Sequence, residues 1–548
     1  MSKRSSRKHA PAAPAPEPSA GWFLNLTAMS APVFAATLAG ILMLTLFVFF
    51  PAVGNGFLMD DHGQILNNQS IQTPGHLLDY FHQDVWGRPD APSNYYRPIF
   101  VLWLRLHYVL YGLVPAGWHV GSVLVHLVNC LLLGLFAWRL LHDRAAAALS
   151  VALFALHPAH VESVAYVSAA PDLLMTAAIL LGLLCHARWA GLTAPDAVKS
   201  SPACGYRWEW LLAAFLLFLL ALLSKEPAVL LPLVFFALSA AQAARGRLSW
   251  TRAFLAIVPF LAVLPAYLYV RKLSIGAAIA GDLAHLPASV VILSLPATMW
   301  FYLVTLVWPM SSRAFANSPL TDRVTFAGVV APLLGVLLAL VLVTLLVRWI
   351  LRPRGGQPPA AGLRAALWAS LLLIVLPLLP ALNLSALIEN DVLHGRYAYL
   401  PTAGLALLAA CAWHRLVSRD LRAAMLAVAA AVLLGSAALT LGQQGDWKDD
   451  LSAWSAAYAV APDNALVLQH LSSEFLRARR VPEALPVARN WARVAPQNWR
   501  SWATTAECYM KLGRFAEAEA PINRAAELNR DDPRVHMEQS IVRERLGH

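Results

Sequence analysis

Four short stretches hold the residues whose types and spacing could do chemistry. The first is Met59-Asp60-Asp61-His62, a few residues beyond the first long apolar run. Of two adjacent carboxylates at a membrane surface, one can take a proton from an acceptor hydroxyl while its neighbour orients it or binds a cation. The plainer reading is a solvated acidic turn beside Gly54 and Gly56. The second stretch is His157-Pro158-Ala159-His160-Val161-Glu162-Ser163, followed by Ala169-Ala170-Pro171-Asp172. His-x-x-His with a glutamate resembles a metal-ligand spacing, yet Pro158 interrupts a regular helix at the first histidine. Structural or acceptor-site hydrogen bonding by these residues therefore outweighs a metal centre. In the third, Ser224-Lys225-Glu226-Pro227, an ion pair breaks an apolar stretch at a span boundary. Charges so placed are commonly functional, although a short external hairpin is the bland alternative. The last is Glu389-Asn390-Asp391-Val392-Leu393-His394-Gly395-Arg396-Tyr397. Arg396 could hold a lipid phosphate through two parallel hydrogen bonds, because that leaving group needs charge neutralisation more than an acid. A snorkelling interfacial arginine is its plainer reading.

The elements that must position these residues are membrane helices. The chain is 58% hydrophobic and 13% charged over 548 residues, with mean hydropathy +0.56, outside the range of soluble domains. Its net charge of +11 is spread over short gaps between apolar runs, where the positive-inside rule places basic residues. The basicity is thus a topology signal, and no nucleic-acid partner is expected. About eleven spans are read, beginning near Ala31, Trp118, Ala145, Asp172, Trp208, Pro227, Ala253, Thr325, Arg364, Tyr399 and Arg422. The gaps with Arg139/Arg144, Arg188/Lys199/Arg207, Arg245/Arg247/Arg252, Arg348/Arg352/Arg354 and Arg415/Arg419/Arg422 would all be cytoplasmic. An odd number of crossings puts the N-terminus inside and the C-terminus outside. Two apolar segments are left out as interfacial or re-entrant. Arg97 to Leu113 carries Arg105 and His107 mid-run, and Leu293 to Met310 is punctuated by Trp, Tyr and Pro.

Residues 1–30 read as a disordered basic cytoplasmic tail, 31–445 as the membrane domain and 446–548 as a water-soluble helical domain. The first apolar run lacks a convincing cleavage site and reads as a retained signal-anchor. Cys508 is the one cysteine of the soluble part, so no internal disulfide is expected there. From Asp446 the composition becomes Glu/Arg/Ala-rich and amphipathic. Pro462 and Pro496, Phe475 and Tyr509, and Ala484 and Ala518 are each 34 residues apart, the tetratricopeptide repeat length. Leu512-Gly513-Arg514 supplies an inter-helix turn, and a generic helical hairpin explains three concordant pairs less well. The expected fold is all-α: a polytopic helical bundle with interfacial helices and a C-terminal α-solenoid that leans on the membrane domain.

Together these pieces resemble the transmembrane and tetratricopeptide-repeat O-mannosyltransferase family and its bacterial relatives, within the GT-C glycosyltransferase fold. The stretches that carry the resemblance are Met59-Asp60-Asp61 with Ile65-Leu66-Asn67-Asn68, Tyr96-Arg97-Pro98, His157 to Val164, Ser224-Lys225-Glu226, Gly395 to Pro401, and Trp447 to Trp454. They span nearly the whole chain in the same order. The resemblance implies inverting transfer of one sugar from a polyprenyl-phosphate donor to an acceptor hydroxyl of a protein or an envelope glycan or lipid. It implies a base in the first outer loop, carried here to Asp60 or Asp61, between which the sequence does not choose. Lys225, Arg396 and Arg97 become candidates for the donor phosphate. His157, His160, Glu162, Asp172, Glu226, His394 and Tyr397 become candidates for the acceptor pocket. No cofactor is assigned, although Asp60 and Asp61 are candidates for holding a divalent metal ion. The chain departs from the family in two ways. Ala169-Ala170-Pro171 replaces a more polar lead to Asp172, which bears on substrate identity, and the repeat array is short, which points to a different or smaller acceptor.

Two rival functions fit a chain of this kind: a lipid-linked sugar transporter, and a non-catalytic scaffold whose repeats assemble envelope or secretion partners. A transporter should place polar residues at the midplane of internal repeats, whereas here they gather at one face. A scaffold has no need of the Asp60-Asp61 pair. The expected partners are the lipid donor, the acceptor, membrane lipids and a protein bound by the repeats. The Ala/Leu/Arg-rich composition suggests a bacterial inner membrane. A reporter fused after His548 should therefore lie outside the cytoplasm and one at Gly355 inside; a cytoplasmic signal from the C-terminal fusion would overturn this topology.

Overall fold

The computed structural model describes residues 29–87, 94–192, 207–279, 286–307, 320–386, 393–416 and 419–547. The basic tail up to residue 28, Cys204 and Glu389 to Val392 lie outside the described residues. All regular structure among the described residues is helical, apart from one isolated bridge between Arg354 and Gln357.

Among the described residues, nine helices are long and apolar enough to cross a membrane. They are Ala31–Gly54, Pro115–Leu141, Val167–Trp189, Glu226–Ala243, Trp250–Ile275, Ala288–Val307, Phe326–Leu351, Ala361–Leu382 and Asp420–Trp447. A tenth is the pair Arg144–Ala155 and Pro158–Ala165, bent by 55°. Pro158 causes the bend, because proline drives the preceding residue out of the helical region, and His157 is extended at φ −69, ψ 125. The chain is an all-α polytopic membrane bundle. Two of the expected spans are shorter than a straight crossing: Trp208–Leu222 has 15 residues and Tyr399–Arg415 has 17. Conversely, the segment expected to be interfacial or re-entrant near Leu293 forms a 20-residue helix that runs through Pro296. Pro98–Tyr111, also left out of the count, is a 14-residue helix.

Contacts between helix ends sort the bundle into two faces. On one, Arg144 donates to the Met29 carbonyl at 2.9 Å, Asp143 meets His414 at 3.3 Å and Arg245 donates to the Pro359 carbonyl at 2.8 Å. Arg415 donates to the Arg352 carbonyl at 2.5 Å on that same face. On the other, Gly56 N–H donates to Lys448 O at 2.9 Å and Ser274 Oγ donates to Phe81 O at 3.0 Å. Trp250–Ile275 ends on this second face. Phe326–Leu351 finishes beside Arg352 on the first, so its 26 residues, roughly 39 Å of helix, begin on the second. Ala288–Val307 thus links two helices that both meet the second face.

The bundle's hydrophobic core continues without a break into the C-terminal helices through Trp447, Trp454, Val467, Leu468, Leu471, Val487 and Trp491. Beyond them, Ala484, Ala488, Ala503, Ala518, Ile522 and Val535 belong to a separate core. The 34-residue period read from the sequence recurs in the local geometry. Asn464, Asn498 and Asp532 each cap a helix by accepting first-turn N–H groups. Arg479 and Gly513 occupy the same left-handed turn position at φ 59 and φ 73, and the ion pairs Arg480–Glu483 and Arg514–Glu517 repeat behind them.

Backbone approaches at glycine hold the bundle tightly. A Cβ on Gly362 would lie 2.0 Å from the Leu140 carbonyl oxygen, and one on Gly404 would lie 2.6 Å from that of Ser370. Small residues let membrane helices pack this closely. Gly362→Ala should lower the stability of the detergent-solubilised protein by about 1–3 kcal/mol in thermal unfolding. Gly435→Ala, whose Cβ would meet nothing within 4 Å, should leave it nearly unchanged; equal stability of the two variants would contradict this packing.

Candidate active site

Asp60 and Asp61 are neighbours in sequence but not in environment. The first span ends in a short 3-10 turn, Phe50–Gly54, and the loop beyond it turns sharply at Met59, whose φ is 48. Left-handed backbone is unusual for a side-chain-bearing residue and has to be held by its surroundings. Past that turn Asp61 is fully buried. Its Oδ2 accepts from Leu58 N–H at 3.2 Å, and its Oδ1 accepts from Ser168 N–H at 2.9 Å and Ser168 Oγ–H at 2.5 Å. Burial pushes the Asp61 carboxyl up to about 7, against the opposing pull of these donors. Asp60 instead opens onto a cleft, and its N–H donates to the Tyr166 hydroxyl at 3.0 Å.

The expected pair therefore does not form a two-carboxylate clamp, because both Asp61 oxygens are already occupied by protein donors. Among the described residues no group of three or more His, Cys, Asp or Glu side chains is placed to hold a metal ion. The divalent metal considered for Asp60 and Asp61 does not fit these residues.

The cleft has a volume of about 320 Å³ and two walls. Loops of the membrane bundle supply Asp60, His62, Glu162 and Arg396, and the C-terminal helices supply Asp450 and His470. Glu162 lies on the short helix that follows the Pro158 bend. Its Oε2 accepts from Arg396 N–H at 2.9 Å, and its Oε1 is 3.2 Å from Arg396 Nη1 and 3.8 Å from His394 Nδ1. The Arg396 guanidinium lies 6.0 Å from the Tyr166 ring and 5.8 Å from the Tyr397 ring.

Tyr397 leads from the cleft into a deeper belt of ion pairs. Lys225 Nζ sits 4.9 Å from the centroid of its ring and donates to both Asp172 oxygens at 2.6 and 2.5 Å. Desolvation pulls Lys225 down to about 8, with Asp172 opposing and the Arg97 and Arg396 charges reinforcing the shift. Arg97 Nε is 3.1 Å from each Glu226 oxygen and its Nη2 is 2.8 Å from Oε2, a forked pair. Arg271 shares Glu226 at 3.8 Å and donates to the Asn94 carbonyl at 2.6 Å. Four cations, Arg97, Lys225, Arg271 and Arg396, thus face three carboxylates, Glu162, Asp172 and Glu226.

Nine of the residues singled out in the sequence come together here: Asp60, Arg97, Glu162, Asp172, Lys225, Glu226, His394, Arg396 and Tyr397. His157 and His160 do not. His157 Nε2 lies 3.0 Å from the Leu306 carbonyl, and His160 Nε2 lies 2.6 Å from Thr402 Oγ1, with its ring against Phe154 and Tyr399. Both are interior packing residues. Among the site residues, Arg271, Asp450, Tyr166 and His470 were missed. Arg271 carried the signal of a charge at the end of an apolar run. Asp450 stood in the Trp447-to-Trp454 stretch without a role, and Tyr166 gave no signal at all.

Comparison with known proteins agrees with this picture in its outline. Residues 475–539 match the tetratricopeptide-repeat family model. Protein O-mannosyl-transferase Tmtc1 of Drosophila melanogaster is 33% identical over 197 residues, 35% of this chain and 21% of that protein. Protein O-mannosyl-transferase TMTC3 of Mus musculus is 24% identical over 502 residues, 85% of this chain and 52% of that protein. Among solved structures, ArnT from Cupriavidus metallidurans bound to undecaprenyl phosphate superposes with a TM-score of 0.39 at 14% identity, covering 94% of this chain and 89% of that one. The chain spans about half the length of the relatives that it matches along most of its own. Over most of its length, then, this polytopic membrane chain is similar to protein O-mannosyl-transferases, and its tetratricopeptide match lies in the C-terminal helices.

Proposed function

We propose that the chain is an integral membrane glycosyltransferase that moves one sugar from a polyprenyl-phosphate donor to an acceptor hydroxyl, with inversion. The observation that carries this reading is Asp60, open to a cleft that it shares with Arg396 and Glu162, a pair that leads on to Lys225, Asp172, Arg97 and Glu226. Asp60 takes the proton of the acceptor hydroxyl as its oxygen bonds to the sugar's anomeric carbon. The bond from that carbon to the phosphate oxygen breaks, and the phosphate leaves with the electron pair. Arg396, Lys225 and Arg97 meet the charge that develops on it. Asp61, sealed beneath the loop, holds Leu58 and Ser168 in place and takes no part in proton transfer.

The printed names of the relatives point to mannose as the sugar and to a protein as the acceptor. The aromatic rings of the cleft favour a polypeptide over a glycan. Trp447, Trp454 and Tyr166 are 1%, 5% and 2% exposed, and Tyr166 and Trp447 stack on each other, which leaves no open ring face to receive a second sugar. Eleven crossings fit the helix ends best: Trp208–Leu222, Tyr399–Arg415 and the bent pair cross, while Ala288–Val307 returns to its own face. That scheme keeps the cleft and a tetratricopeptide-type C-terminal solenoid, with a place for a protein partner, on the non-cytoplasmic side of a bacterial inner membrane.

The two aspartates should separate on substitution. Asp60→Asn keeps side-chain shape but removes the base, so turnover with polyprenyl-phosphate-mannose should fall by ~10²–10⁴ while donor binding holds. Asp61→Asn should retain turnover to within about tenfold and change the pH dependence of stability instead. The folded protein favours the protonated Asp61, so that stability is full below the ordinary carboxylate value of 3.8 and is lost as pH rises through about 7. Thermal midpoints of the wild type should decline across this window, and those of Asp61→Asn should not share the decline. Full activity in Asp60→Asn, or loss of the base function in Asp61→Asn alone, would reverse the assignment.

A further inference from the structure

We propose that Asp450, in the first helix of the C-terminal domain, is a positioning residue that holds the Asp60 loop in its working conformation; the inference rests on the reading of Asp60 as the base. The loop reaches Asp60 through Met59 at φ 48, a left-handed conformation that is strained for a residue with a Cβ. Something outside the loop must keep it there. Asp450 Oδ1 accepts from Met59 N–H at 2.8 Å, and Asp450 Oδ2 lies 2.6 Å from His62 Nε2. One carboxylate therefore straddles Asp60, tying the residue before it and the second residue after it.

The same short segment supplies further ties. Lys448 O accepts from Gly56 N–H at 2.9 Å. Trp447 stacks on Tyr166, with centroids 5.6 Å apart and planes at 25°, and Tyr166 in turn accepts from Asp60 N–H. Residues 447 to 450 thus grip the loop at Gly56, Met59 and His62 directly, and at Asp60 through Tyr166. Helix capping does not explain the Asp450 carboxylate, because its neighbour Asp449 is the N-cap and accepts from Ser452 N–H at 2.8 Å. Its side chain is 15% exposed and turned towards the loop. The start of the C-terminal domain on this account helps to hold the site, in addition to whatever the repeats behind it bind.

The test uses the full chain with labelled polyprenyl-phosphate-mannose and a pool of Ser- and Thr-containing peptides as acceptor. Asp450→Ala should lower kcat by ~10–100-fold with the donor KM little changed, since a displacement of about 1 Å in a reacting group costs on that order. Asp450→Asn keeps an oxygen for Met59 N–H and a polar contact for His62, so it should recover most of the loss. In an Asp60→Asn background Asp450→Ala should add almost nothing, because a residue that acts only through Asp60 has nothing left to position. Wild-type kcat in Asp450→Ala, or a fully additive loss in the double variant, would overturn the inference. Should Asp450→Ala not fold, His62→Ala carries the same test: a kcat loss that vanishes in the Asp60→Asn background supports the inference, and a persistent one overturns it. If Asp60→Asn itself transfers sugar at the wild-type rate, the base assignment falls first and the positioning role falls with it. Loss in Asp60→Asn beside full activity in Asp450→Ala removes the positioning role alone.

Discussion

A charge cannot be left without a partner inside a membrane bundle, and the pairing of Glu162 with Arg396, Asp172 with Lys225 and Glu226 with Arg97 is what the rest of the site depends on. Removing one member of the fully buried Asp172–Lys225 pair leaves the other uncompensated, at a cost of about 3–5 kcal/mol. The pairs also join distant parts of the chain. Glu162 follows the Pro158 bend, Arg396 precedes the Tyr399–Arg415 helix, and Lys225 and Glu226 lie between two helices whose far ends meet the opposite face. The same contacts that fix the bundle therefore assemble the cations. Four of them face three carboxylates, with Arg271 and Arg97 both drawing on Glu226, and Asp60 stands at the cleft with Arg396 as a fourth.

Environment, not residue type, divides the labour of the two aspartates. Asp61 receives two backbone N–H groups and a hydroxyl and sees no solvent, so it acts as a fixed anchor for the turn. Asp60 keeps its side chain at the cleft, beside the Arg396–Glu162 pair and opposite the C-terminal helices. The left-handed Met59 makes this division possible by turning consecutive side chains to different surroundings. Because Asp450 and Trp447 brace that turn from outside, the cleft exists only where the two parts of the chain meet.

Much of this was legible in the sequence. Hydropathy and the basic gaps gave an all-α membrane bundle, and the 34-residue spacing reappears in the caps at Asn464, Asn498 and Asp532. Lys225 was visible because ionisable residues interrupt apolar runs only for a reason, Glu162 and Arg396 because they stand in polar stretches between spans, and Arg97 through the family resemblance. What hydropathy could not show was lateral geometry. The resemblance put His157 and His160 at the site, and a bend at Pro158 does not reveal which way the imidazoles turn; they turn into the interior. Asp60 and Asp61 read as one pair, because a positive φ at Met59 leaves no mark on residue type. Asp450 was invisible for the simplest reason: its partners, Met59 and His62, lie 391 and 388 residues away.

The central claim is that the paired cations beside Asp60 exist to receive a lipid phosphate. Its most direct test is equilibrium binding of undecaprenyl phosphate, without any sugar, to the purified full chain and to Arg396→Ala and Lys225→Ala. Each loss of a charge-assisted hydrogen bond should weaken binding by about 1.5–3 kcal/mol, and Arg396→Lys should restore only part of it, because an ammonium lacks the planar fork. Unchanged affinity in both alanine variants, with the folded state intact, would contradict the account and leave the ion pairs as architecture alone.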